Sequence, residues 1–170
     1  MSRSLVLVCL LSASASADVA VYESKDDHSI TEGDTVIDAD PDVAYDTAVN
    51  YMKWTAIFPD IKKVIITKKT GDDARVTFVH TDGNKDNVHF HNTPMARMVW
   101  FEDTGGKAEV WAEIVFVPGD KAGTTRVHSR VYANVHGVTG LFVSSDKVKT
   151  LRSQRVRSDL QNLRSYFSKH

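Results

Sequence analysis

His80, Arg152, Arg155 and Asp159 are the residues whose types and positions could do chemistry. His80 falls on the inward face of an alternating strand, where an imidazole could bind a ligand's polar end or act as a general base. It could equally be a satisfied structural histidine or stand at a cavity rim. Arg155 and Asp159 are four residues apart, the spacing of a helical ion pair. Together with Arg152 they fall among the apolar residues of their helix rather than opposite them. A charged pair facing a cavity would suit an acidic or quinone-like head group. The other reading is that this part of the helix overhangs the sheet and is wet. His89 and His91 share a strand face, with His128 and Glu113 on other strands. Zinc uses such ligands, but without a third ligand of known geometry they read as a solvated face. Ser129 and His80 could serve a Ser-His-Asp hydrolase, yet no nucleophile elbow surrounds Ser129. No phosphate loop or dinucleotide fingerprint occurs. No catalytic residue, metal or cofactor is assigned.

The element that must position these groups is the last one. Beyond the N-terminal leader, Ser144 to Lys169 falls in the longest run without Gly or Pro. Ser144 or Ser145 can cap its start, and Asp146 suits the positive end of the helix dipole. Val148 and Leu151 lie near one face, and Val156, Leu160, Leu163 and Phe167 follow at helical spacing. The opposite side carries Lys149, Arg157 and Arg164, which could meet anionic head groups or simply face water. A terminal helix with one apolar stripe must bury it, and what precedes it reads as strands.

The spacing predicts a first strand over Ile30–Asp38, with Gly33 as a bulge, after a flexible lead-in over 18–28. Asp40 is a good N-cap and Pro41 fits the first helical position, so a helix runs over roughly Pro41–Lys53. Phe58-Pro59 stops it, with Trp54 and Phe58 on a second, very short helix. From Ile61 the period becomes two, giving six further strands separated by Gly, Asp, Asn and Pro turns. Apolar faces should meet across the strands. That places Phe78, His80, Phe90, Met98, Trp100, Ala112, Ile114, Phe116, Ser129, Val131 and Ala133 on the inward face. The outward face receives Arg75, Thr77, His89, His91, Glu109, Glu113, Arg126, His128 and Arg130.

At 170 residues the chain is one domain long, with ordinary apolar and charged fractions of 42% and 25%. A net charge of −1 gives nucleic acid no electrostatic footing. Met1–Arg3, the apolar run Leu5–Leu11 and Ala15-Ser16-Ala17 read as an export signal cleaved near Ala17. Cys9 would leave with it, and the run is too short to span a bilayer. The expected organisation is a leader over 1–17, the lead-in, and one domain over 29–170. A monomer is expected.

The order of strand, capped helix, aromatic turn, six strands and long terminal helix resembles the helix-grip fold of the START and polyketide-cyclase superfamily. The local match runs through Asp38-Ala-Asp40-Pro41-Asp42-Val43-Ala44 and Tyr51-Met-Lys-Trp54-Thr-Ala-Ile-Phe58-Pro59-Asp60-Ile61-Lys62. The resemblance covers about Ile30 to Lys169 and implies an α+β fold. A curved antiparallel sheet of about seven strands would wrap around the terminal helix, with two short helices after the first strand. It also implies a cavity, in a superfamily that holds carriers, cyclases and proteins of unknown role.

The expected function is an exported carrier of a hydrophobic or amphipathic small molecule such as a lipid, isoprenoid or quinone. Trp54, Phe58, Phe78, His80, Phe90, Met98, Trp100, Ile114, Phe116, Ser129, Val131, Leu151 and Arg155 are its candidate lining. The rival is a cyclase or dehydratase working in the same cavity, with His80 moving protons. A third reading is an interaction module whose outer sheet, with Glu113, His128 and Arg130, meets a partner protein. Partners would otherwise be limited to the small molecule and a transient membrane contact.

Overall fold

The computed structural model describes residues 19–105, 108–135 and 144–169. The leader expected over 1–17 lies outside the described residues. Eight antiparallel strands form one sheet: β1 (Ala20–Glu23), β2 (Ile30–Ile37), β3 (Ile61–Thr70), β4 (Asp73–His80), β5 (Lys85–Thr93), β6 (Met98–Asp103), β7 (Ala108–Pro118) and β8 (Thr125–Val135). Their order across the sheet is β1-β2-β8-β7-β6-β5-β4-β3. Two short helices follow β2: α1 (Pro41–Val49) and, after a 3-10 turn over Tyr51–Lys53, α2 (Trp54–Ile57). The chain closes with α3 (Ser145–Phe167). The α+β architecture is therefore the expected one, with a long terminal helix against the concave face of a curved sheet.

Local chemistry explains the helix ends. Asp40 stands extended before Pro41, whose fixed φ suits the first helical turn. At α3 the Ser144 hydroxyl accepts a hydrogen bond from the Lys147 amide, and Asp146 lies in the first turn.

Three expectations are corrected. The lead-in contains a strand, because Ala20–Glu23 pairs with Thr31–Asp34 and gives the sheet its eighth member. Gly33 is not a bulge: it pairs in register with Val21 on one side and Ser129 on the other. Its role is clearance. A Cβ there would stand 2.5 Å from Val156 Cγ1, 2.9 Å from Leu160 Cδ1 and 2.8 Å from the Ala20 carbonyl oxygen. The bulges lie in β3 instead, between Ile61 and Lys63 and between Ile66 and Lys68.

The third correction concerns Met98 and Trp100, which face outward. In β6, Val99 pairs with Asn92 and Ile114, and Phe101 pairs with Phe90 and Ala112. Val99 is fully buried, and Trp100 instead opposes His91 and Glu113 on the outer face. The strand is entered from a 3-10 turn at Pro94–Ala96 through Arg97, whose φ of 46° is left-handed. That turn resets the alternation by one residue, and one residue turns every side chain over.

Candidate functional site

α3 crosses the sheet over β1, β2 and β8 and touches α2. Its buried stripe is Arg152, Val156, Asp159, Leu160, Leu163 and Phe167. Leu151 is not on it and is exposed, a further correction. A residue one position on, at 152, shares the face of 156 and 160, as a helix of 3.6 residues per turn requires. Arg152 is buried because its guanidinium is bonded. It donates to Thr31 Oγ1 at 3.3 Å, the Ala133 carbonyl at 3.4 Å and the His28 carbonyl at 3.0 Å. It fastens the helix to β2 and β8, and the reading of a wet overhang fails at this residue.

A cavity of about 210 Å³ opens between Arg155 and Asp159 on the helix, Trp54 on α2, and the inner face of β3 to β8. Its floor is Phe78, Val88, Phe101, Val110, Ala112 and Val131, with Ile61 at the side. The aromatic wall is closely packed. Trp54 stacks on Phe78 at 5.1 Å and 11°, and meets Phe90 and Phe101 edge-on at 5.2 and 5.9 Å. Its indole N–H donates to the Ala48 carbonyl at 2.8 Å, so no polar atom of the indole is left unpaired against the cavity. The small side chain of Ala112 leaves space beneath the helix.

One side of the cavity is polar: His80, Asp86, Asp103, Arg155 and Asp159 all border it. His80 stands between two carboxylates, with Nε2 at 2.8 Å from Asp86 and Nδ1 at 3.3 Å from Asp60. Arg155 Nε donates to Asp159 at 2.8 Å. Burial pushes the Asp159 carboxyl above the usual carboxylate range, and Arg155 opposes that rise. Arg155 in turn is held above its ordinary value, chiefly by the Asp159 charge. Arg155 keeps 46% of its side-chain surface accessible beside the cavity, while only 11% of Asp159's is. Both members border the cavity, and the cation is the more accessible of the two.

Of the thirteen candidate lining residues, Trp54, Phe78, His80, Val131 and Arg155 border the cavity. Phe58, Phe90, Ile114, Phe116 and Ser129 face inward but are packed into the core beside it. Met98, Trp100 and Leu151 point elsewhere. The strand pattern did not single out Phe101, Val110, Asp86 or Asp103. Ser129 and His80 stand on β8 and β4 with three strands between them, so they do not meet. His128 pairs with Asp34 at 3.1 Å, and His91 with Asp73 at 3.0 Å. His89 lies 3.4 Å from both Asp73 and Glu102. Among the described residues, no three His, Cys, Asp or Glu are grouped to hold a metal. A wider depression of about 600 Å³ lies at the start of α3, between Tyr132–Asn134 and Ser145–Lys149.

This geometry has close counterparts among solved structures. The START superfamily protein from Mycobacterium smegmatis superposes with a TM-score of 0.67 at 13% identity, covering 82% of this chain and 97% of that one. The chain has the START-type helix-grip fold. The Zhui aromatase/cyclase from a Streptomyces species superposes on this START-type chain at 0.66 and 14% identity, covering 82% and 93%. Ara h 8.0201 does so at 0.64 and 13% identity, covering 89% and 99%. At these identities the likeness is one of fold. No protein-family profile and no curated protein matches the sequence.

Proposed function

We propose that the protein is a carrier that holds one small, largely apolar molecule in the cavity beneath α3, with its polar end at Arg155. The observation that carries this reading is an aromatic cavity with Arg155, the one Lys or Arg among its described lining residues, at the edge of the apolar lining. The superposed START, aromatase/cyclase and Ara h 8 chains support it through their shared fold.

Size narrows the ligand. A 150 Å³ apolar cavity can hold a benzene ring, so 210 Å³ accommodates one substituted ring or a short chain. A full lipid or isoprenoid would have to leave most of its length outside. Charge narrows it further. Asp60, Asp86, Asp103 and Asp159 surround Arg155 and His80, so a ligand carboxylate would meet more negative than positive charge. A neutral acceptor such as a quinone or ketone oxygen fits better than an acid. Burying roughly 200 Å² of apolar ligand surface at about 25 cal/mol per Å² gives about 5 kcal/mol, an affinity of order 0.2 mM. Hydrogen bonds from Arg155 would supply the rest. An exported location rests on the sequence of Met1–Ala17 alone.

Native mass spectrometry of protein from its own host tests this. A retained small molecule, or one-to-one uptake of monocyclic ketones and quinones, is expected. A clean apo mass with no uptake across that series would overturn the reading. The cyclase alternative has His80 at the cavity in its favour, but both ring nitrogens already face carboxylates. Turnover of a polyketone that disappears in His80→Ala, with ligand uptake kept, would select it.

A further inference from the structure

We infer that the outer face of the β3 edge docks the protein onto an anionic lipid bilayer. The ten residues of β3 contain four lysines and no acid, in a chain whose net charge is −1. Register places these charges in a small array. Lys63 lines up with Val79 and Lys85, Ile65 with Thr77 and Asn87, and Lys68 with Arg75. The direct Lys68–Arg75 opposition is of like charges, which a sheet does not favour unless an anion lies over it. None of Lys63, Lys68, Arg75 and Lys85 forms an ion pair with a described carboxylate, whereas the helix cations do bond within the protein. Lys149 pairs with Glu23, Arg155 with Asp159, and Arg157 donates to the Val19 carbonyl at 3.5 Å. Lys149, Arg155 and Arg157 of α3 are therefore engaged, whereas Lys63, Lys68, Arg75 and Lys85 form an array on β3 to β5 that is not.

Lysines on an edge strand also guard it against pairing with other chains. That role does not call for exposed apolar side chains among them. Ile65, between Lys63 and Lys68 on that face, is 38% exposed. Cations around a protruding aliphatic group suit a surface where charge lies over hydrocarbon, which a lipid interface is and a nucleic acid is not. The surface lies on the face of the sheet opposite the cavity and does not depend on the cavity being filled.

Co-sedimentation of the purified full chain with vesicles tests the inference. Binding is expected to phosphatidylcholine vesicles containing phosphatidylglycerol, little to phosphatidylcholine alone, and a steep loss with added salt. Each lysine neutralised should weaken binding about fivefold, so Lys63→Gln/Lys68→Gln should lose roughly twenty-fivefold with its Tm unchanged. Ile65→Ser should weaken vesicle binding without changing binding to a short DNA duplex. Equal binding to neutral and anionic vesicles, or no effect of the lysine variant, overturns the inference. So does duplex DNA binding as tightly as vesicles with no dependence on Ile65. Ligand uptake measured on the same variants separates failure of the docking surface from failure of the carrier reading.

Discussion

Replacing Gly33 by Ala adds one methyl group where α3 packs directly onto β2. The new Cβ would lie 2.5 Å from Val156 Cγ1, 2.9 Å from Leu160 Cδ1 and 2.8 Å from the Ala20 carbonyl oxygen. Val156 and Leu160 are fully buried, and the Ala20 oxygen belongs to a paired strand. None of them can swing aside cheaply, so the helix or β1 must lift. Overpacking of this kind costs about 1–3 kcal/mol, while losing a strand glycine returns about 0.5–1 kcal/mol. A net loss of about 1–2 kcal/mol is expected, read as a lower urea midpoint with an unchanged m-value and a Tm drop of roughly 3–8 °C. Val156→Ala removes the nearest clashing atom. In that background Gly33→Ala should therefore cost at least about 1 kcal/mol less than it does alone, a coupling a double-mutant cycle resolves. A neutral Gly33→Ala, or additive effects in the double variant, would refute the clearance argument and with it the placement of α3.

Two further predictions follow from the cavity's walls. The raised Asp159 carboxyl means that the folded state holds a proton there more tightly than the unfolded chain, whose value is near 3.8. Stability should therefore fall as pH rises from that value through the folded one, and Asp159→Asn should flatten this part of the profile. Urea midpoints from pH 4 to 8 with identical slopes in both proteins would contradict the burial of Asp159. Trp54 borders the cavity whereas Trp100 faces outward, so ligand-induced fluorescence change should vanish in Trp54→Phe and persist in Trp100→Phe. The opposite pattern would return Trp100 to the inner face.

Much of the fold was legible because local chemistry and alternation agree along most of the chain. Pro41 marks one helix start by its fixed φ after an extended Asp40, and Ser144 marks the other by its capping hydroxyl. The parity of β4, β5, β7 and β8 follows from polar residues such as Arg75, His89, Glu113 and Arg130, which break each strand's apolar residues into every-second positions and name the outer face. β6 failed because its first four residues, Met98-Val-Trp-Phe101, are all apolar, so alternation names no face. Its parity is set by the left-handed backbone at Arg97, which no side-chain pattern announces. β1 is four residues long, and only its pairing with β2 makes it a strand. Gly33 signals a backbone constraint, but close approach and bulge look alike until the helix is in place. At the cavity, helical spacing did place Arg152 and Asp159 on the apolar face of α3. What spacing lacks is the set of carbonyls that make a buried Arg152 affordable. Asp86 and Asp103 were missed because they lie at strand ends near turns, where an acid ordinarily means solvent.

Ala112 sits on the cavity floor, and Ala112→Phe would place a ring where the carrier reading puts the ligand. The most direct measurement is native mass spectrometry of wild type and Ala112→Phe titrated with the same monocyclic quinone. One equivalent bound by wild type and none by a folded variant is the predicted result. Equal uptake by the two proteins would mean that the molecule binds elsewhere and that this cavity is not the site.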